Sequence, residues 1–331
     1  MDNMEFVTIT TEEQFTQVQL DYGDSLRLSP QQWQRERPDL HGLAVEGGRC
    51  WGYYSLWWRE TPDYQGQKVG FIGHLKVESG EIIPQLLARG IQKLRDRGCF
   101  WAIAPVDGNT GYRYRIIYSS PSDSLFFSEP NLEHFSPECF TRAGFTPIAF
   151  YQSHLCTDLE QIDPRLARIR HRLAGQNITI RRAKLEIEEL QRLYRVMIGA
   201  FRHNFLYSPL SEGDFIQLYA PLLPQLNSEL ILIAQQDKKT IGFLFAFPDF
   251  SQAQRGEAVE RVILKTVAVL PKRDYAGLGN LLVKECHAIA TQLGYKQVIH
   301  ALMHEQNPSL NLSLRYAQPF RRYALYGKFL P

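Results

Sequence analysis

Two glycines at the start of a helix are the residues of this sequence whose spacing points most directly to chemistry. Gly277-Leu278-Gly279 follows a polar turn that begins at Lys272, and residues 280–293 carry apolar side chains at helical spacing. Glycines one residue apart let successive backbone N–H groups converge, and the helix dipole favours negative charge at that point. The loop therefore predicts a phosphate cradle, with a ligand-free glycine-rich turn as the alternative.

Other phosphate-binding loops fit this segment poorly. A Walker loop has Lys and then Ser or Thr after its last glycine, whereas Asn280-Leu281 follows Gly279 here. A dinucleotide fingerprint has a third glycine three residues later, where this chain has Leu282. The pattern thus indicates neither of these two nucleotide sites.

An apolar, β-branched run at residues 261–270 precedes the loop and predicts a buried strand that ends at Pro271. Val267-Ala268-Val269, Pro271 and Gly277-Leu278-Gly279 before a helix resemble the acetyl-CoA-binding motif of the GCN5-related N-acetyltransferases (GNATs). That motif is a strand, Arg/Gln-x-x-Gly-x-Gly/Ala and a helix. Asp274 stands where the motif has Arg or Gln, one residue after Arg273. The resemblance implies an α/β (α+β) fold and acetyl-CoA as co-substrate.

The resemblance also implies how acetyl-CoA is held. Backbone groups of Val267 and Val269 would bind the pantetheine, and a backbone N–H there would polarise the thioester carbonyl. Asn307 matches an asparagine that contacts the cofactor in this family, with an ordinary helix N-cap as the alternative. The implied cofactor contacts are Val267, Ala268, Val269, Arg273, Asp274, Tyr275, Ala276, Gly277, Leu278, Gly279, Asn280 and Asn307.

Acetyl transfer to an amine needs a neutral amine, a polarised carbonyl and a proton for the leaving thiolate. By position in the family pattern, Tyr316 is the expected acid and Glu260 the expected base. The alternatives are, for the acid, Tyr323 and Tyr326, and for the base, a water chain, His300 and His304.

Two segments are expected beside the acceptor. The resemblance implies that Asn204, Tyr207 and Asp214 contact the acceptor, with aromatic packing as the alternative for Tyr207. In the first half, Asn109 and Tyr112-Arg113-Tyr114-Arg115 either line a substrate groove by cation–π contact or form a solvated loop.

The order of strands and helices between residues 6 and 151 restarts at residue 177, which indicates an internal duplication. We therefore expect two tandem GNAT-like domains, each a mixed, mostly antiparallel sheet flanked by helices. The first copy has only Glu78-Ser79-Gly80-Glu81 in place of a phosphate loop, too short and too acidic to bind pyrophosphate. The predicted division is a degenerate domain at 1–156, a helical connector at 157–175 and an acetyl-CoA-binding domain at 176–331.

Composition restricts the remaining possibilities. The net charge is +2 with both signs interspersed, so no nucleic-acid partner is expected. The 5 cysteines are scattered without paired or metal-ligand spacing, and His304-Glu305 lacks a second ligand pair, so no metal is expected. There is no apolar run of about 18 residues, and residues 1–5 lack signal-peptide features. The expected location is cytoplasmic, although the basic connector helix could also meet a membrane or an acidic partner.

The expected function is N-acetyl transfer from acetyl-CoA to an amine of a small molecule or peptide, by direct attack in the C-terminal domain. The expected partners are acetyl-CoA and an amine acceptor, without a membrane. Two alternatives remain: a non-catalytic acyl-CoA-binding or scaffold protein, and a transferase for another acyl or aminoacyl group.

Overall fold

Strands and helices follow one another in both halves of the chain. The computed structural model describes residues 4–23, 28–122 and 124–331; residues 1–3 of the N-terminal segment discussed above lie outside the described residues. The elements of the first half are β1 (Glu5–Ile9), α1 (Glu12–Tyr22), α2 (Pro30–Glu36), β2 (Leu40–Glu46), β3 (Arg49–Trp57), β4 (Val69–Val77), α3 (Ile83–Asp96), β5 (Trp101–Ala104), β6 (Ile116–Ser119), α4 (Pro137–Arg142) and β7 (Thr146–Cys156).

The second half repeats this order with its own insertions. Its elements are α5 (Leu166–Ala174), β8 (Ile178–Arg182), α6 (Ile187–Phe201), α7 (Glu212–Tyr219), β9 (Ile231–Gln236), β10 (Lys239–Pro248), α8 (Phe250–Gln254), β11 (Arg261–Val269), α9 (Leu278–Gln292), β12 (Gln297–His304), α10 (Pro308–Ser313) and β13 (Gln318–Phe329).

Local chemistry explains several of these boundaries. The side chains of Thr11 and Ser29 accept backbone N–H groups in the first turns of α1 and α2, as N-cap residues do. Gly47 and Gly48 join β2 to β3 with φ of 60° and 73°, conformations that glycine adopts without a steric penalty. The hairpin expected from these two glycines is therefore present.

All described strands belong to one sheet. Their order is β1-β2-β3-β4-β5-β13-β7-β12-β11-β10-β9-β8, and β6 pairs with β13 beside this path. Among the described strands, only β4–β5 and β11–β12 are parallel neighbours. The mixed, mostly antiparallel character predicted from the sequence is confirmed, and the sheets expected for the two halves are continuous as one.

The two halves exchange their last strands. β13, at the end of the chain, pairs with β5 of the first half, whereas β7 of the first half pairs with β12 of the second. β7 and β13 pair with each other at the centre of the sheet, where Tyr323 lies opposite Tyr151. The division at residues 1–156, 157–175 and 176–331 stays a prediction about sequence segments, and in the structure those segments share this central ribbon.

Helices cover the sheet where apolar side chains emerge. α3 packs on β3 and β4, α9 on β10 and β11, and α6 on the same two strands. Along β11, Val262 and Leu264 join the core beneath α9, whereas Ile263 joins the core that includes Val196 of α6. The connector helix α5 packs against α9. Within the described ranges, no helix combines the length and the apolar content needed to span a bilayer.

Candidate functional site

β11 and β12 separate midway along their length and open a cleft in the second half. They are paired in register from Arg261 opposite Gln297 to Leu264 opposite His300, and not beyond. Lys265 is an extra residue on β11, because its neighbours face consecutive residues of β10. Such a bulge bends a strand and increases its twist. The resulting cleft has a volume of ≈ 960 Å³.

One wall of the cleft is a strand edge with which no described strand pairs. Residues 265–269 of β11 have no pairing with β12, so alternate N–H and C=O groups on that side are free to bind a ligand. Val267, Ala268 and Val269 all line the cleft. The structure thus brings the three residues predicted to contact pantetheine to an open edge.

The start of α9 lies at one end of the cleft and presents backbone donors. Gly277 is the N-cap with φ of 83°, and the first helical bond runs from Leu281 N–H to Gly277 O at 3.1 Å. The N–H groups of residues 277–280 have no acceptor among the described residues. Gly277, Gly279 and Asn280 line the cleft. These donors and the helix dipole together form an anion-binding arrangement.

The connector helix holds this loop from outside. Arg172 of α5 donates to Asp274 O at 2.7 Å and also to Ala276 O. Because the C=O and N–H of one peptide point in opposite directions, the Gly277 N–H points away from Arg172. A Cβ on Gly277 would lie 3.0 Å from Ile169 of the same helix, so a larger residue would collide there.

The other predicted loop residues have different positions. The Asp274 carboxylate is half exposed and pairs with Lys272 at 2.8 Å. Tyr275 lines the cleft, whereas Arg273, Asp274, Ala276 and Leu278 are not among its lining residues. Asn307 lines the cleft and is also an N-cap, because its Oδ1 accepts the Ser309 N–H at 3.0 Å. Both sequence interpretations of Asn307 are therefore compatible with its position.

Neither residue proposed for catalysis from the sequence lines the cleft. Tyr316 is 3% exposed and donates its hydroxyl to Asn280 Oδ1, and burial raises its pKa to about 12. Asn280 in turn donates to Asp163 Oδ2 at 2.8 Å, so Tyr316 belongs to a polar network behind α9. Glu260 pairs with Lys296 at the far end of β11, about 20 Å along the strand from Val267.

Of the alternative acids and bases, His300 and His304 line the cleft, but both are hydrogen-bonded within the protein. His300 Nδ1 lies 2.7 Å from Ser313 Oγ and its Nε2 lies 2.9 Å from a nitrogen of His287, and burial holds its pKa well below the usual range. His304 Nδ1 accepts the Gln306 N–H at 3.0 Å, which leaves the proton of the neutral ring on Nε2. Neither histidine has a free lone pair. Tyr323 and Tyr326 are buried in the cores of the first half, which β13 enters.

The three predicted acceptor contacts differ in position. Tyr207 lines the cleft, its hydroxyl is buried without a partner among the described residues, and burial raises its pKa. Asn204 also lines the cleft. Asp214 does not, because its carboxylate accepts the Ser211 hydroxyl at 2.7 Å and pairs with Arg37 at 3.4 Å. The structure therefore brings Asn204 and Tyr207 together at the site and leaves Asp214 outside.

A second cavity of ≈ 420 Å³ lies between the two halves, next to the cleft. Residues that line both cavities form a shared wall: Gly111, Tyr112, Tyr114, Arg115, Tyr219, Lys265 and Leu302. The segment Tyr112 to Arg115 thus lies at a cavity surface, as one of the two sequence interpretations expects. Lys265 was missed because it falls within an apolar strand, although a lysine inside such a run was itself a signal.

The corresponding place in the first half is closed. β4 and β5 pair from Val69 to Phe71 and then separate, but the chain at Val106 and Asp107 fills the gap. Val106 N–H donates to Ile72 O at 2.9 Å, and Asp107 Oδ1 accepts the His74 N–H at 2.6 Å. A Cβ on Gly73 would lie 2.0 Å from Val106 O, so no space remains.

A buried polar cluster in the first half escaped the sequence analysis. Glu36, His74 and Asp107 come from separate elements and place potential metal-ligand atoms within 4.8 Å of one another. Each is already bonded within the protein: Glu36 to His74 Nε2 at 2.5 Å and to Arg35 at 2.6 Å, and Asp107 to Arg113 at 2.9 Å. A cation here would have to replace these bonds.

Comparison with known proteins identifies the fold. No family model and no curated protein matches the chain. A tandem GNAT protein from the clavulanic acid biosynthesis pathway is 13% identical with a TM-score of 0.51, and the match covers 99% of this chain and 98% of that one. A GCN5-related N-acetyltransferase from Sphaerobacter thermophilus is 14% identical with a TM-score of 0.50, and the match covers 98% and 95%.

A third similar structure is part of a longer protein. It contains the GCN5-related glucosamine N-acetyltransferase region of a fungal multi-domain GH3 β-N-acetylglucosaminidase, with 15% identity and a TM-score of 0.53. The match covers 98% of this chain but 38% of the fungal one. At these identities the shared property is the fold, and the predicted tandem GNAT architecture is confirmed.

Proposed function

We propose that the protein is an acyl-CoA-dependent N-acyltransferase that acts in the cleft of its second half, with acetyl-CoA as acyl donor. One observation carries the proposal: the N–H groups of residues 277–280 have no acceptor among the described residues, and three of these four residues line a cleft whose wall is a strand edge without a described partner strand. A pyrophosphate requires the donors, and the amide groups of a pantetheine arm require the strand edge.

The residues present fit this co-substrate. Bound acetyl-CoA would supply the acyl group as a thioester. The N–H groups of residues 277–280 would hold the pyrophosphate, and residues 267–269 would pair with the pantetheine. Asn307 at the cleft would contact the same arm. Arg172 replaces the missing motif cation indirectly, since it fixes the loop carbonyls and adds positive charge behind them.

The chemistry assigned to this chain is the exchange of a C–S bond for a C–N bond. The acceptor amine loses one proton and the departing sulfur gains one. A backbone N–H at the Lys265 bulge would stabilise charge on the carbonyl oxygen. Tyr207 would donate the proton, because it lines the cleft, its buried hydroxyl has no partner among the described residues, and burial raises its pKa and so keeps it protonated. Because His300 and His304 are both hydrogen-bonded within the protein, cleft water would accept the proton of the amine.

A non-catalytic acyl-CoA-binding or scaffold role is the second candidate. It is favoured by Asp274 at the motif position of Arg or Gln, and by the absence of Glu260 and Tyr316 from the cleft lining. Transfer of another acyl or aminoacyl group would use the same cleft, so the donor has to be varied in the test.

Release of free thiol distinguishes these functions. The full-length protein is incubated with acetyl-CoA or longer acyl-CoAs and a panel of amines, and the thiol and the acylated product are both quantified. The proposal predicts thiol release that depends on one or more amines and equals the amount of amide formed. Binding of acyl-CoA without turnover for any amine would favour the binding protein instead.

A further inference from the structure

Arg115 is a buried cation without an anionic partner. Arg115 is 6% exposed. Its guanidinium carbon lies 4.0 Å from the centre of the Tyr114 ring and 4.4 Å from the centre of the Tyr151 ring. Nη1 donates to the Tyr114 hydroxyl at 2.6 Å, whereas Nε has no acceptor among the described residues. No described carboxylate forms an ion pair with it. Burying an unpaired charge is costly, so a protein retains one where a ligand pairs with it.

Lys265 is a second uncommitted cation on the same wall. It lies at the bulge of β11 and is partly buried, and within the described ranges its ammonium group makes neither a hydrogen bond nor an ion pair. Burial and the nearby charge of Arg115 lower its pKa to about 8, against a smaller opposing effect of Glu129. The two cations are therefore close enough to interact, and both line the cleft and the second cavity.

The other charged groups around the second cavity are neutralised. Glu36 pairs with Arg35, and Asp107 pairs with Arg113. Glu129 pairs with Arg321 and accepts the Tyr323 hydroxyl. The charge left to attract a ligand is therefore positive and is concentrated on Arg115 and Lys265.

The remaining surface of the second cavity is largely apolar and aromatic. Its apolar side chains come mainly from β10 and from α7, α8 and their neighbouring loops: Phe127, Pro130, Leu218, Tyr219, Leu222, Leu226, Phe245, Phe247 and Phe250. A cavity of ≈ 420 Å³ lies within the range of small-molecule pockets. It fits a ligand with an apolar or aromatic body and one anionic end.

We propose that the second cavity is the acceptor site, and that the acceptor is an apolar or aromatic amino acid whose carboxylate is bound by Arg115 and Lys265. This inference rests on the proposed acyl transfer. In an α-amino acid the amine and the carboxylate share one carbon. A carboxylate bound at Lys265 therefore places the amine beside the β11 bulge, where the thioester carbonyl would lie. Arg115, Tyr114 and Tyr151 belong to the first half, so this half supplies a wall of the acceptor site.

Three small probes test the proposal by calorimetry on the full-length protein. They are L-phenylalanine, 3-phenylpropanoate and phenethylamine, which carry both groups, the carboxylate alone and the amine alone. The two carboxylates should bind about tenfold or more tightly than phenethylamine, as expected for charge-assisted hydrogen bonds. Equal affinities for phenylalanine and phenethylamine would overturn the assignment.

Substitutions test which residues bind the carboxylate of the probes. Arg115→Gln and Lys265→Met should each weaken binding of both carboxylates about tenfold and leave phenethylamine unchanged. Arg89→Gln is the control, because it removes the same charge from the first half at a residue that lines neither the cleft nor the second cavity. Equal losses in Arg89→Gln and Arg115→Gln would contradict a specific carboxylate site. Lys265→Met provides the test if Arg115→Gln fails to fold.

The alternative is that Arg115 and Lys265 bind a carboxylate on the acyl group of the acyl-CoA rather than one on the acceptor. If Arg115→Gln selectively weakens succinyl-CoA relative to acetyl-CoA, the cations recognise a carboxylate on the acyl group, and the acceptor proposal is wrong. Failure of the proposed function is separate from both outcomes, since it would appear as loss of acyl-CoA binding or turnover while discrimination among the three probes persists.

Discussion

The two halves share one fold but differ at the start of the helix that follows the central parallel strand. In the second half, the N–H groups of residues 277–280 have no acceptor among the described residues, and Gly277, Gly279 and Asn280 line the cleft. In the first half, Ser79 accepts the N–H groups of Glu81 and Ile82, that of Ile83 bonds to Gly80, and Pro84 has none. The difference predicts that the second half can bind an anion there and that the first half cannot.

The same contrast continues along the strands. Both β4 and β11 carry one extra residue relative to their antiparallel neighbour, so the bulge is present in both halves. Opposite the bulge of β4, the Asp107 carboxylate accepts the His74 N–H. Opposite the bulge of β11 lies the open cleft. The chain of the first half thus fills the gap between its own strands β4 and β5. Its loop around Arg115 contributes to the wall of the cleft in the second half.

The largest effect is expected from placing a carboxylate in the proposed phosphate cradle of the second half. Gly279→Glu should reduce the affinity for acetyl-CoA by about a hundredfold or more, because the new charge would face the pyrophosphate at short range. The matched control is Gly80→Glu at the equivalent helix start of the first half, where a Cβ would meet no atom closer than 4.0 Å. Calorimetry checks both variants; equal losses would refute the distinction between the halves.

Lys265→Met should stabilise the protein by up to about 3 kcal/mol near neutral pH, since it removes a partly buried cation that has no ion pair among the described residues. The lysine pKa falls from 10.5 to about 8 on folding. The unfolded chain therefore binds more protons between these values, and this lysine makes stability rise with pH across that window. In denaturant titrations from pH 7 to 10.5, the free energy of unfolding of the wild type should rise relative to that of Lys265→Met. Identical pH profiles would contradict the assignment.

Substitutions of Tyr207 and Tyr316 distinguish a role in proton transfer from a role in stability. Tyr207→Phe should lower kcat about tenfold or more with unchanged affinity for acetyl-CoA, because it removes the proposed proton donor, a hydroxyl without a described partner on a residue that lines the cleft. Tyr316→Phe should instead cost about 1–2 kcal/mol of stability, since Asn280 loses its buried donor. Steady-state kinetics and denaturant unfolding measure the pair. A larger loss of kcat in Tyr316→Phe would restore the sequence-based choice of acid.

The smallest effect concerns the motif position occupied by Asp274. Asp274→Arg should tighten acetyl-CoA binding a few-fold at low salt, because it replaces a half-exposed carboxylate near the phosphate loop by a cation. The gain should shrink in 0.5 M salt, roughly as screening requires. Weaker binding of the variant would mean that Asp274 has another role in the loop.

Local patterns predicted much of this fold. The apolar run and the two glycines placed β11 and α9 within two residues of their observed bounds, because strand alternation and helix starts depend on nearby residues. The exchange of β7 and β13 was not foreseen, since pairing between distant strands leaves no local signature. Helix α2 was also missed, although Ser29-Pro30 is a typical helix start.

The site was predicted unevenly for the same reason. Residues that act through the backbone, such as Val267 and Gly277, could be found from motif and glycine spacing. Tyr316 and Glu260 could not be placed, because the direction of a side chain depends on packing against α9 and on which end of β11 is open. Lys265 became visible only when the structure set it beside Arg115 from the other half.

The most direct test of the account is the stoichiometry of acetyl-CoA binding to the full-length wild-type protein, measured by calorimetry with calibrated protein and ligand concentrations. The open cleft of the second half and the filled slot of the first predict one site per chain. Two sites per chain would show that the first half also binds the cofactor, and no binding would show that the free N–H groups of α9 do not form a phosphate cradle.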